Sequence, residues 1–398
     1  MEKWAYFELK MMDSNIIDAL DRVATPFYYY DMDLFHKTVD HVAELASQYD
    51  LKVHYAIKAN VERRLLEYIS SKGFGADCVS GNEVLHAHDC GFPADKIVYA
   101  GVGKSDWEIG LGLEAGIFAF NVESIPELEI INSLALQKGK VAQIALRINP
   151  NVGAHTHANI TTGLAENKFG IDMQDMEHII ALASSMEGVR FTGLHFHIGS
   201  QILEMDDFAA LCIRINELQD RLEAAGISGI ENINVGGGLG IDYKQPDLHP
   251  VPDFRSYFDT YRQKLQLRPG QQLHFELGRA IMGQCGTLVS RVLYIKSNPI
   301  KNFCIVDAGM TDLIRPALYN AYHHIENLTA SDPGDFVTYD VVGPICESSD
   351  VFIKNYGMPR TSRGDLIAFR SAGAYGEIMA SGYNCRNLPI GYITEDLL

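Results

Sequence analysis

Eight short apolar runs, each followed by a stretch of helical periodicity, succeed one another between residues 53 and 276. This alternation constrains the fold more than any other feature of the chain. The runs are 53–57, 74–79, 97–100, 117–121, 143–148, 190–197, 231–235 and 272–276. Between them, apolar residues recur at helical spacing, as Phe208, Leu211, Ile215, Leu218 and Leu222 do. Eight β-then-α units over roughly 240 residues predict a (β/α)8 barrel, whose catalytic groups sit at strand carboxyl ends. A doubly wound open sheet is the alternative with the same pattern and no closure.

The flanks read differently. An aromatic strand-like run, PFYYYDM at 26–32, precedes the first helical pattern at 33–49. After about residue 280 the helical rhythm gives way to strand-like runs at 286–295, 303–307, 336–342 and 365–370. This predicts a barrel over 33–280 and an all-β domain over 281–398, the latter joined by a strand from within 1–32. No low-complexity linker marks the boundary, so close packing of the two is expected.

Composition narrows the class. Acidic residues outnumber basic ones 51 to 33, a formal charge of −18, which repels nucleic acid and anionic membranes. An anionic ligand therefore needs a local cationic pocket. The seven cysteines are scattered without a CxxC pair, which suits reduced thiols better than disulfides or a metal site. The opening MEKWAYFELKMMD lacks the pattern of a signal peptide, and no run of 18 apolar residues occurs, so a cytoplasmic protein is expected.

Chemistry-bearing residues gather at the predicted strand ends. Lys58 closes the run HYAIKAN, with Asn60 opening a helical pattern; burial there would lower an amine's pKa and suit it to imine formation. A lone strand-end lysine more often bends out to water. His197 ends LHFHIGSQ, where an imidazole can stack on a ring and Ser200 can bind a phosphate; His195, of the same parity, stays without a role. Gly236, Gly237 and Gly238 follow the seventh run, where barrels bind phosphate. Glu276 and Arg279 bracket Leu277 and Gly278 at the eighth; a carboxylate there would hold a pyridine nitrogen protonated, while a surface ion pair is the plainer alternative. In the β region, Cys346 is a candidate proton donor and Glu347 an ammonium acceptor. Arg315 is a candidate carboxylate ligand, and Tyr375 lies in a Gly/Ala turn.

Taken together, HYAIKAN, GADCVSGNE, TTGLAENKFGI, HFHIGSQ, GGGLG, DAGMTDLIRPALY, GPICESSD and SAGAYG resemble the fold-type III pyridoxal-phosphate decarboxylases, the ornithine/diaminopimelate family. The resemblance spans residues 26–390. It implies the barrel-plus-β architecture shared with alanine racemase, a pyridoxal 5'-phosphate cofactor and a homodimer. It implies that Lys58 is the Schiff-base lysine, and that His197, Ser200, Gly236, Gly237, Gly238, Glu276, Gly278, Arg279 and Tyr375 hold the cofactor. Arg279, Arg315, Tyr319, Glu347 and Tyr375 are implied to bind substrate. Lys58, Cys346, His197 and Glu276 are implied to be catalytic, with Cys346 and Glu347 coming from the second subunit.

ENKFGI, LIRPALY and CES place the chain with the diaminopimelate branch, since a terminal carboxylate calls for a cation such as Arg315. The implied reaction converts meso-2,6-diaminopimelate to L-lysine and CO2, the last step of lysine biosynthesis. The alternatives are a decarboxylase of another amino-carboxylate, such as carboxynorspermidine, and an inactive regulatory homologue. Alanine racemase characteristically has an arginine at the pyridine nitrogen, which Glu276 contradicts. Three positions depart from the family pattern: Leu277 stands in place of proline, and Asn82 and Ser349 in place of glycine.

Overall fold

A computed structural model describes residues 13–151 and 168–398. Most of TTGLAENKFGI, namely 161–167, lies outside the described residues, as does the stretch 1–12. The chain forms two compact units. One comprises 39–240 and 253–279; the other comprises 280–398 with the N-terminal segment to Thr38 and the excursion 241–252. That excursion lies inside the span expected for the barrel, yet it folds with the β unit.

The N-terminal strand is β1 (Phe27–Tyr30). Eight parallel strands then close the barrel: β2 (Lys52–Ala56), β3 (Gly75–Cys78), β4 (Ile97–Tyr99), β5 (Ala119–Val122), β6 (Ala142–Asn149), β8 (Val189–Phe196), β9 (Asn232–Asn234) and β10 (Gln272–Leu277). A two-residue strand, β7 (Ile171–Asp172), adds to β6. Closure comes from β10 pairing with β2, with Glu276 opposite His54, and from β5 pairing with β6. All eight expected runs are strands, and the open sheet is excluded.

The strands alternate in the usual way, but several of their inward residues are polar. Outward Phe275 of β10 packs its ring against Tyr257, Phe258 and Tyr261 of helix Phe254–Lys264, with centroids 4.8–5.5 Å apart. Inward His274 and Glu276 on the same strand face polar residues from other strands. Barrel interiors are ordinarily filled by branched apolar side chains. Here Asp77, Asn121, Arg147, His195, Asn234 and Glu276 are buried.

The helix after β2 starts later than expected. Asn60 does not open it; its side chain accepts from Glu62 N, and Glu62 caps the helix Arg63–Ser71 through a bond from Leu65 N.

The β unit is one sheet built around β11 (Gly286–Ser297). Its other strands are β12 (Asn302–Val306), β13 (Ile325–Asn327), β14 (Phe336–Val342), β15 (Val351–Pro359), β16 (Leu366–Phe369) and β17 (Ile390–Ile393). The expected N-terminal strand does join, since β1 pairs antiparallel with β11 and parallel with β17. Strands β13, β15 and β17 went unrecognised in the sequence. Phe27, Tyr29, Val289, Leu366 and Ala368 form a core beneath the helix Ser14–Leu20.

Candidate active site

Within the barrel, Glu276 is held from three sides. It is 7% exposed and accepts three hydrogen bonds: Asn234 Nδ2 (2.8 Å) and Asn121 Nδ2 (3.2 Å) donate to Oε1, and His195 Nε2 (2.9 Å) donates to Oε2. Burial alone would raise its pKa. The charge and hydrogen bond of His195 outweigh that, with help from Lys58 and His54, and hold the carboxyl well below the ordinary carboxylate range. A surface Glu/Arg pair is thereby ruled out, since Arg279 is also buried, at 6% exposure.

Lys58 departs from the expectation of burial. The strand ends at Ala56, and Lys58 sits in the single 3-10 turn Ile57–Ala59, its side chain 43% exposed. Its amine donates to Asp77 Oδ2 at 3.1 Å. Asp77 is 1% exposed, and its Oδ1 has no hydrogen-bond partner among the described residues. Burial, then the Glu276 charge, push its carboxyl up to about 6 against the pull of Lys58. Turn and counter-ion, rather than desolvation, position the amine.

The glycine loop follows β9. Gly236 and Gly238 have φ of 69° and 109°, the left-handed region that favours glycine. A Cβ at Gly237 would overlap the carbonyl oxygen of Glu276, so this position admits no side chain. Gly237 N donates to His197 Nδ1 at 3.3 Å, which leaves Nε2 to carry the ring hydrogen. Burial, then the charges of Arg147 and Lys58, lower the His197 pKa to about 3, so the ring is neutral. Ser200 Oγ accepts from Arg279 Nη2 and Nε at 3.1 and 3.3 Å, so a hydroxyl and a guanidinium converge. Gly278 is buried between Leu277 and Arg279.

In the β unit, Arg315 is buried at the start of the helix Arg315–Tyr319 and donates to Tyr243 Oη at 3.2 Å. Tyr319 ends that helix half-buried. Tyr375 is half-buried with φ of 57°. Cys346 and Glu347 are exposed, which excludes a buried structural cysteine; Glu347 accepts from Tyr383 Oη at 2.7 Å. Their loop is pinned by buried Asp350, which accepts from Met310 N (2.6 Å) and Ile345 N (2.7 Å). Ser349, one of the departures, is exposed, and its hydroxyl donates to the Met310 sulfur at 3.7 Å.

Sequence reasoning missed Asp77, Asn121, Asn234 and Asp350, and gave His195 no role. The signal for the barrel residues was present: polar letters at alternate positions of apolar strands, as in NIN at 232–234 and LHFH at 194–197.

The donor set fits a ring carrying a nitrogen, an aldehyde and a phosphate. Glu276 is an ionised carboxylate for the nitrogen and Lys58 an amine for the aldehyde; Gly236 N and Gly237 N are taken by Asn234 and His197, which leaves the Gly238 N–H, Ser200 and Arg279 as donors for the phosphate. Consistent with this, the chain belongs to the pyridoxal-dependent decarboxylases, whose pyridoxal-binding-domain model matches residues 35–283. Within that family it is similar over nearly its whole length to diaminopimelate decarboxylases. It is 63% identical to that of Bacteroides thetaiotaomicron over 383 residues, covering 96% of this chain and 98% of the relative. It is 39% identical to that of Aquifex aeolicus, covering 95% and 89%. Among solved structures, a mutant diaminopimelate decarboxylase of Helicobacter pylori complexed with L-lysine superposes with a TM-score of 0.89. That match is at 37% identity and covers 96% of this chain and 94% of the other.

Proposed function

We propose that this enzyme decarboxylates meso-2,6-diaminopimelate to L-lysine and CO2, closing lysine biosynthesis. One observation carries the reaction type: a buried carboxylate, Glu276, held ionised by three donors in the same barrel as an amine, Lys58, with its own counter-ion. The similarity to diaminopimelate decarboxylases supports the substrate.

Bound pyridoxal phosphate supplies an aldehyde that captures the amino group and a ring that accepts the electron pair released with CO2. The chain does the rest. Lys58 would anchor the cofactor and yield to the incoming amine, and Glu276 would keep the ring nitrogen protonated. Neutral His197 offers a flat face without adding charge. Gly236, Gly237 and Gly238 would let the backbone come close to the phosphate, to which the Gly238 N–H, Ser200 and Arg279 would donate, with Gly278 giving the chain room to approach. Arg315, Tyr319, Tyr375 and Arg279 serve the distal end of the substrate, an assignment that rests on the family resemblance. The buried Arg315 guanidinium supports it, since a carboxylate away from water gains most from a charged donor.

The same proposal takes the working unit to be a homodimer. Cys346, from the partner, gives the proton to the α carbon with Lys58 as relay, and Glu347 holds the ammonium group. The exposure of both residues on a pinned loop supports delivery outward from their own chain. Residence in the cytoplasm, supported by seven free cysteines, belongs to the same reading.

Product analysis with meso-, LL- and DD-diaminopimelate, ornithine, arginine and carboxynorspermidine tests the substrate. L-lysine from the meso isomer is expected, and a faster release of CO2 from any of the others overturns it. Mixing Lys58→Ala with Cys346→Ala tests the assembly: subunit exchange should restore part of the activity, because one site per mixed dimer would carry neither defect. Exchange shown by mass spectrometry without recovery would place the thiol in its own chain's site.

A further inference from the structure

The hydrogen-bond inventory of Glu276 assigns a role to a residue that the mechanism leaves idle. A carboxylate offers about four acceptor positions, and three are taken by Asn121, Asn234 and His195. The two amides share Oε1; His195 is the donor on Oε2. Since a carboxylate only accepts, the His195 hydrogen facing it must be on Nε2. The His195 side chain is 1% exposed, and its Nδ1 has no hydrogen-bond partner among the described residues. Among the described residues, then, nothing on the far side of the ring competes for its orientation, and the one polar contact of the imidazole is with Glu276.

We propose that His195 is a positioning residue for the reaction: through Nε2–H it fixes the Glu276 carboxylate in the ionised form, leaving one acceptor position for the protonated ring nitrogen of the cofactor. A protonated Glu276 would put its O–H in the one acceptor position left open, where the ring nitrogen must donate, so a neutral Glu276 and a protonated ring exclude one another. His195 is the donor whose loss matters most. Without it Oε2 is buried and unpaired, and a proton there relieves the desolvation. The proton then sits on Glu276 rather than on the ring nitrogen, and the ring accepts electrons less well. The two amide donors cannot substitute, since both address Oε1.

This inference rests on the pyridoxal reading, and its test separates the two. The full-length enzyme is loaded with pyridoxal phosphate carrying 15N in the ring. In the wild type the ring-nitrogen resonance should lie at the protonated position; in His195→Ala it should move toward the unprotonated one. His195→Gln, which keeps an N–H donor, should restore most of the shift, and kcat should follow the resonance while KM changes little. A His195→Ala enzyme that binds the cofactor with an unmoved ring-nitrogen resonance overturns the inference. So does a wild-type His195 whose 15N spectrum shows Nε2 without a hydrogen, a measurement independent of whether any variant folds. A wild-type chain that takes up no pyridoxal phosphate would instead refute the underlying reading.

Discussion

Replacing Asp77 with asparagine should stabilise the full-length chain without cofactor while slowing the enzyme. Asp77 is 1% exposed, has one oxygen without a hydrogen-bond partner among the described residues, and feels the charges of both Glu276 and Lys58. Burial, followed by the Glu276 charge, raises its pKa from 3.8 to about 6 despite the lysine. In the unfolded chain the group titrates near 3.8, so the folded state binds more protons between the two values. Asp77 therefore favours folding fully only below pH 3.8, and that contribution is lost as the pH rises through about 6. Each pKa unit corresponds to about 1.36 kcal/mol, so a shift of about two units amounts to about 3 kcal/mol at pH 8. By the same relation about half of it is present at pH 5 and almost none at pH 3.5. A neutral amide at this position does not titrate and is free of that penalty. Urea unfolding of the two proteins should show the variant more stable by up to about 3 kcal/mol at pH 8, with the gap closing on acidification. Turnover should fall, because Lys58 loses the carboxylate that holds its amine. A variant no more stable than the wild type at pH 8, or a gap independent of pH, would refute the assignment of a strained buried carboxylate.

Three further outcomes follow from the geometry. Gly237→Ala pushes a Cβ into the Glu276 carbonyl and should cost roughly 1–3 kcal/mol, with weakened cofactor binding, read from thermal melts and a cofactor titration. Glu276→Gln should leave the cofactor bound but lower kcat by roughly 10²-fold or more. Its amide nitrogen also forces His195 to accept rather than donate, which 15N spectra of the imidazole would detect. Arg315→Ala removes a buried cation, and kcat/KM for diaminopimelate should fall by about 2–4 kcal/mol; an unchanged value would mean the distal carboxylate is held elsewhere.

The barrel was legible because its strands and helices have different periods and each repeats eight times. The β unit was only partly legible. Strands β13 and β17 are three and four residues long, too short for alternation to show. The sequence of β15, VFIKNYGMP, breaks its alternation with Asn355 at φ 54°. The excursion 241–252 has no pattern of its own, and only contacts reveal which unit it joins. At the site, the motifs named Lys58, His197 and Glu276 but not how they are held. Which donors reach a carboxylate depends on distances across the barrel: Asn121 on β5 and Asn234 on β9 lie 155 and 42 residues from Glu276. The burial expected for Lys58 failed because a single 3-10 turn carries it past the strand end.

Strand β10 shows how one segment carries both stability and chemistry. Leu273, Phe275 and Leu277 alternate with His274 and Glu276, so the two sets point to opposite sides of the barrel wall. Outside, Phe275 meets three aromatic rings of the neighbouring helix, a cluster that ties the strand to its covering layer. Inside, His274 bonds His54 at 2.9 Å, and Glu276 collects its three donors. The inward side contributes little hydrophobic stabilisation, and its polar groups are tolerable only while they stay paired. The apolar outward set fixes the register, because a one-residue slip would drive Phe275 into the polar interior and Glu276 into the helix layer. Glu276 is thus placed for chemistry by residues that never face it, and its charge is set by those that do.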